Sequence, residues 1–314
     1  LIEVKGLTKK YGNTTVVDHL DFSVKKGEVL GFLGPNGAGK STTMNMMTGY
    51  ISATEGSVII NGYDVYDNPG KAKRSIGYLP EIPPVYPEMT VKEYLKFAMD
   101  LKKVAHKDRN DMLNDVMYRT QIADKADKLI KNLSKGYKQR VGLAQAIVGY
   151  PEVIILDEPT VGLDPEQIIE FRTLIKKLSK NHTMLISSHI LSEIKAVCDE
   201  VLIINGGKLV VKDDINNLPS HLENAPSLVV EAKGEIEKIE NVIRGVSNVI
   251  DVRQLKSTEE GVSKFSISTV NSVDVREEVF FAFAKGGIPL LSMQPTSLED
   301  IFIALTKPGA KVIR

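Results

Sequence analysis

Hydrophobic positions in residues 1 to about 80 fall in short runs, LIEVKGL, VVDHLDFSV, GEVLGFL, GSVIING and SIGYL, separated by glycines and asparagines. Such short β-rich runs between turn residues predict strands. From residue 90 to 132 the spacing lengthens toward a helical period. TVKEYLKFAMDLKKV, opened by a Thr90/Glu93 capping box, and RNDMLNDVMYRTQI both predict helices. An apolar helical run follows LSKGYKQR (133–140), and VIILD then reads as a buried strand. Helix EQIIEFRTLIKKLS, strand TMLISS, helix LSEIKAVCD and the strand pair EVLIIN and GGKLVV complete this part. Strands alternating with helices imply a largely parallel sheet with crossover helices, an α/β fold.

Prolines and polar residues interrupt the pattern at DINNLPSHLENAP, residues 214–226. The expected domains are therefore 1–217, with a helical part at about 83–150, and 226–314. The second domain reads strand SLVVEAK, helix IEKIENVIRGV, strands VIDVRQL and KFSISTV, helix REEVFFAFAKGG and strand PLLSMQP. That β-α-β-β-α-β order is the ferredoxin-like α+β layout. A last helix, LEDIFIALT, is expected to open on a Thr296/Glu299 box. No titratable cluster stands out here, which favours a regulatory or docking domain.

A chain of 314 residues is long enough for two domains and a sizeable core. Its 40 basic and 40 acidic residues cancel, leaving no electrostatic footprint for wrapping nucleic acid. The single cysteine, Cys198, cannot form an internal disulfide, fits a reducing compartment and reads as buried filler. No run of about 18 apolar residues suggests a membrane span, and LIEVKGLTKKYG lacks the apolar core of a signal peptide. The expectation is a cytosolic protein that meets a membrane only through a partner.

GPNGAGKS, residues 34–41, matches the phosphate-loop pattern in full and lies between strand VLGFL and helix TTMNMMTGY. Gly34, Gly37 and Gly39 let the backbone curl so that N–H groups form a nest for phosphate oxygens. The loop as a whole, Gly34, Pro35, Asn36, Gly37, Ala38, Gly39, Lys40, Ser41 and Thr42, is the candidate nucleotide cradle. Lys40 would meet the β- and γ-phosphates, and the Ser41 hydroxyl would bind Mg²⁺. VIILDEPT brings Asp157 and Glu158 to the carboxyl end of a buried strand, where ligands of open α/β sheets bind. Asp157 suits the Mg²⁺ shell, and Glu158 is placed to take a proton from an attacking water. Adjacent carboxylates there also serve as helix caps. By themselves these motifs say nucleotide hydrolase or kinase.

LSKGYKQR decides between them. Ser134, Lys135 and Gly136 give a second helix start that invites an anion, and the segment resembles the signature motif L-S-G-G-Q of ATP-binding-cassette (ABC) ATPases. Further landmarks of that family stand in order: Tyr11, IGYLPE at 76–81, VGLD at 161–164 and His189 in ISSHILSE. The resemblance covers residues 1 to about 215. It implies a P-loop cassette with a central mostly parallel sheet, an antiparallel β subdomain and a helical subdomain.

ABC cassettes pair head to tail, so the resemblance implies that Ser134 and Gly136 contact an ATP held by a partner's Lys40. Each chain then holds two half-sites of an ATP- and Mg²⁺-dependent homodimer. Tyr11 would stack on adenine, although a hairpin tyrosine also packs on its own sheet. His189 would reach the γ-phosphate and orient the attacking water, and Asp164 would touch the partner cassette. The remaining histidines, His19, His106, His182 and His221, are expected at the surface.

Two positions depart from the family pattern. Glu81 stands where glutamine is usual; a carboxylate also binds Mg²⁺, and its charge alters the electrostatics beside Glu158. Lys135 and Tyr137 replace glycine and glutamine in the signature. These features, PTVGLDP and the final SLEDIFIALT resemble the bacterial exporter branch with a separate permease, including drug, sodium, copper-maturation and gliding-motility types. The expected function is thus the ATPase subunit of an exporter, peripheral on the inner face of the cell membrane through an integral-membrane permease. The segment PEIPPVYPEMT and the helix after it are the expected docking surface. A soluble ABC ATPase of translation or DNA repair is the alternative, but those carry tandem cassettes or a long coiled coil. A small-molecule kinase leaves LSKGYKQR and His189 unexplained.

Overall fold

A computed structural model describes residues 1–198, 200–222, 226–257, 259–270 and 273–307. It divides the chain into two compact units, Leu1–Asp213 and Asp214–Arg314.

In the first unit, β1 (Ile2–Tyr11) turns at Gly12, φ 57°, and pairs antiparallel with β2 (Thr14–Val24). Next, β3 (Val29–Leu33) leads through the glycine loop into α1 (Lys40–Met47). The chain returns to the antiparallel sheet as β4 (Glu55–Ile60) and β5 (Tyr63–Asp64), then runs through α2 (Pro69–Arg74) to β6 (Ile76–Leu79). Ile2, Val4 and Leu7 from β1 share one core with Leu20 and Phe22 of β2, Phe32 of β3 and Met44 and Met47 of α1. Each such fully buried side chain contributes about 1.5–3 kcal/mol. The first strand of the chain thus locks the loop-bearing helix against its sheet.

The helical part contains α3 (Val91–Leu101), α4 (Arg109–Arg119) and α5 (Lys135–Ile147). The Thr90/Glu93 capping box forms as the sequence predicts. There follow β7 (Val153–Leu156), α6 (Pro165–Ser179), β8 (Thr183–Ser188), α7 (Leu191–Lys195), β9 (Glu200–Asn205) and β10 (Lys208–Asp214). The central sheet has the order β10-β9-β3-β8-β7-β6, with β9 through β6 mutually parallel. Every residue of β7 and β8 is buried, which suits a central strand covered on both faces. The registers Leu33↔Ser188, Leu156↔Ile186 and Leu79↔Leu156 bring four carboxyl ends to one edge.

The second unit opens with a 3₁₀ segment, Ile215–His221. Its main body is β11 (Pro226–Lys233), α8 (Ile236–Arg244), β12 (Val249–Leu255), β13 (Val262–Thr269), α9 (Arg276–Gly286) and β14 (Leu290–Pro295). The sheet order β12-β13-β11-β14, antiparallel throughout, is the ferredoxin-like topology. Val230, Phe265, Ile239, Ile243, Val279 and Phe283 form its core. The final helix, α10 (Leu298–Thr306), opens on a Ser297/Asp300 box rather than Thr296/Glu299. Thr296 is still engaged by the sheet, its N–H donating to Ser227 O at 3.1 Å, so the first helical turn begins one residue later.

Candidate active site

The loop between β3 and α1 is built around glycines that nothing larger can replace. A Cβ on Gly34 would lie 2.6 Å from Ile204 O and 3.0 Å from Ala38 Cβ. Gly39, at φ 101°, caps α1 in the left-handed region, and a Cβ there would lie 2.8 Å from Val16 O. Pro35 and Asn36 cross the top of the loop, where Pro35 O accepts from Ala38 N at 3.1 Å. Gly37 completes the curl at φ 79°. The N–H groups of Lys40, Ser41 and Thr42 open the helix without intrahelical acceptors, and the helix dipole adds to them.

Lys40 is only 6% exposed. Its Nζ donates to Gly34 O at 2.8 Å and Pro35 O at 3.3 Å, and lies 3.3 Å from Glu158 Oε1. Glu158 also faces the other way, with Oε2 at 2.9 Å from His189 Nδ1. The carboxylate accepts, so Nδ1 carries the proton in that contact. Asp157 Oδ1 accepts from Ser187 Oγ at 2.5 Å. Burial raises the Asp157 pKa above its ordinary value; the Ser187 and Ser41 hydroxyls and the Lys40 charge oppose that shift, while Glu158 adds to it. Lys40, Ser41, Asp157, Glu158 and His189 therefore meet at one sheet edge.

Glu158 holds φ 47°, a left-handed conformation costly for a side chain of this size. Two contacts fix it. Its N–H donates to Ser187 Oγ at 2.8 Å, and Gln139 Nε2 of α5 donates to the following Pro159 O at 2.9 Å. Beyond them, Thr160 Oγ1 donates to Glu193 Oε2 at 2.6 Å, and Ser188 Oγ reaches the same oxygen at 3.2 Å. None of Ser187, Gln139, Thr160 or Glu193 stood out in the sequence as a site residue. The available signal for Ser187 was a hydroxyl near the end of a fully buried strand.

Other candidates lie elsewhere on the unit. Ser134 caps α5, accepting from Tyr137 N at 3.4 Å, and is exposed. Gly136 is buried against α6, where a Cβ would lie 2.6 Å from Gln167 Oε1. Asp164 caps α6 by accepting from Gln167 N at 2.9 Å. Tyr11 ends β1, 53% exposed, with Lys9 Nζ at 5.0 Å from its ring centre. Glu81 is exposed, two residues beyond β6 on the same edge as Asp157. His182 corrects an expectation: it is buried, with Nδ1 at 2.7 Å from Pro151 O. The polar ring is tolerated there because a backbone carbonyl satisfies it.

Ser41 and Asp157 supply hard oxygen donors, and among the described residues no group of three or more His, Cys, Asp or Glu side chains could hold a metal alone. That donor set fits Mg²⁺, which is typically held by one or two protein oxygens together with phosphates and water.

The chain matches the family described as ABC transporter over residues 17–161. The bacitracin transport ATP-binding protein BcrA of Bacillus licheniformis is 35% identical over 314 residues, covering 98% of each chain. The linearmycin resistance ATP-binding protein LnrL of Bacillus subtilis (strain 168) is 31% identical over 309 residues, again covering 98% of each. A solved structure of the ATP-binding subunit of an ABC transporter is 31% identical, with a TM-score of 0.64 over 70% of this chain and 92% of that one. Relatives that align across both units at this identity establish that the chain belongs to the ABC transporter ATP-binding proteins, ATPases that power transport.

Proposed function

We propose that the chain drives an exporter as a head-to-tail homodimer, docked through a separate integral-membrane permease on the inner face of the cell membrane, with no nucleic-acid partner. The observation that carries the ATPase site is Glu158 held between Lys40 and His189 beside the phosphate loop. Loop N–H groups and Lys40 bind the phosphates of ATP, which take over from Glu158 as the anionic partner of Lys40. Ser41 and Asp157 would hold Mg²⁺, which would supply charge neutralisation at the phosphate oxygens. Glu158 then accepts a proton from the attacking water, and His189 orients both. Ser134 and Gly136 of one copy complete the site of the other, and Tyr11 stacks on adenine. Glu81 would be a further candidate oxygen donor to the metal.

The names of BcrA and LnrL, bacitracin transport and linearmycin resistance, support export of an antibiotic-like cargo. No helix among the described residues is long and apolar enough to cross a membrane; this reading gives the pore to the permease. A groove of about 600 Å³ beside the proline-rich segment fits a docking role. Tyr86 packs there against Tyr94 and Phe97 at 6.2 and 5.5 Å between ring centres, which makes the loop an ordered surface. Lys73, Arg74, Lys102 and Lys103 also line it. Burial pushes the Lys102 amine down to about 8.

Co-expression with a candidate permease gene tests this reading. The chain is expected in the membrane fraction only when the permease is present, and ATP turnover is expected to stop when Mg²⁺ is chelated. Permease-independent sedimentation with ribosomes or DNA would overturn it in favour of a soluble ABC ATPase.

The second unit is proposed as an accessory domain separable from the cassette. The proposed cut lies after Asp213, where the two compact units divide; Ile215 and Leu218 beyond it are buried and their segment packs with α10. A chain of residues 1–213 is expected to fold and bind ATP with near-intact affinity, measured by a fluorescent nucleotide. An insoluble or nucleotide-blind product would show that the units share a core.

A further inference from the structure

Along most of its length β7 is flanked by backbone partners on both sides. Asp157 N still donates to Leu79 O of β6, at 2.8 Å. On the β8 side the ladder ends at Leu156↔Ile186. Two residues later the chain turns away at Glu158, φ 47°, and its N–H has no strand carbonyl to meet. The Ser187 hydroxyl supplies the acceptor, at 2.8 Å. The same hydroxyl donates its one proton to Asp157 Oδ1, at 2.5 Å. Ser187 is fully buried, so no solvent competes for either bond. A hydroxyl has a single donor and two lone pairs, and this arrangement uses the donor on one carboxylate and a lone pair on the next residue's backbone. The neighbouring Ser188 is engaged differently, with Glu193 Oε2 and Ile190 N.

We infer that Ser187 is a positioning residue for ATP hydrolysis: its single buried hydroxyl sets the Asp157 carboxylate and the strained Glu158 peptide from one anchor. The side chain that faces the metal and the side chain that faces the water are thereby fixed relative to each other. Asp157 takes its bond from Ser187 on β8, so its orientation at the sheet edge is set from that neighbouring strand. Glu158 gains its turn geometry without a glycine. Outer-shell groups of this kind typically change metal affinity or activity by about 10- to 100-fold when removed.

The inference rests on the proposed roles of Asp157 and Glu158, and its test separates the two. Ser187→Ala, Ser187→Val and Ser187→Thr are compared as full-length protein. Val and Thr are nearly equal in shape and differ in the hydroxyl, so any overpacking of the buried strand is common to both. In Ala and Val, ATP turnover is expected to fall about 10- to 100-fold, and the Mg²⁺ concentration for half-maximal turnover to rise. ATP affinity measured in EDTA, which depends on the phosphate loop, is expected to stay within about three-fold, and Thr is expected to recover most of the turnover. Equal turnover in Val and Thr, or an Ala variant within about two-fold of wild type, would overturn the inference. So would loss of EDTA-measured affinity in step with turnover, since that marks a general structural lesion. Should Glu158→Gln itself turn over normally, the site assignment fails rather than the positioning role.

Discussion

Glu158→Gln is expected to lower ATP turnover by about 10²- to 10⁴-fold while ATP still binds. Glutamine keeps the size of the side chain but cannot take a proton from water. Lys40 Nζ retains its bonds to Gly34 O and Pro35 O, at 2.8 and 3.3 Å, so the loop keeps its internal support. Removing the carboxylate at 3.3 Å also removes the competitor that an ATP phosphate must displace from Lys40. Binding is therefore expected to hold or tighten, and ATP to keep two copies together long enough to appear as a dimer by size exclusion. Lys40→Ala does the opposite. It deletes the phosphate's cation and leaves Glu158, itself 7% exposed, without its charged partner. Nucleotide affinity should drop in that variant. Unchanged affinity in Lys40→Ala, or near-normal turnover in Glu158→Gln, would remove the residue concerned from its role.

What could be read directly from the sequence is local in origin. The glycines of GPNGAGKS announce a backbone that side chains would obstruct, and the close approaches at Gly34 and Gly39 are the physical form of that requirement. VIILD declares a buried strand by its unbroken apolar run, with charges waiting at the end. The ferredoxin-like order of the second unit follows from alternating local patterns in the same way.

Contacts set by strand register were not legible. Ser187 faces Asp157 because β8 lies beside β7 in parallel, 30 residues apart in the chain, and no local spacing encodes that. Gln139 sits in the quoted signature segment, yet its bond to Pro159 O depends on how α5 rests against the loop after β7. The helix-opening box moved to Ser297 because a sheet bond still held Thr296. His182 went inside because Pro151 offered it a carbonyl. In each case a distant backbone group decided the outcome.

A composite site also predicts complementation between differently broken copies. Lys40→Ala disables one half of each site, and Ser134→Arg is chosen to block the other half with a bulky cation. Ser134 is exposed, and its cap bond from Tyr137 N is long, at 3.4 Å, so the substitution should cost about 1 kcal/mol of helix stability or less. The Arg variant should therefore fold and still bind ATP at its own phosphate loop. Each homodimer is expected to be nearly inactive, because both of its sites contain one defective half. With random pairing of an equal mixture, about half of the dimers are mixed, and each mixed dimer has one site built from two intact halves. Activity should then recover to roughly a quarter of wild type if the sites fire independently, and to less if they must fire together. The assay is ATP turnover of the mixture, with mixed-dimer formation verified by differently tagged copies. Wild-type activity in the Ser134→Arg homodimer would sink the shared-site proposal, since α5 would then not border the reacting phosphate.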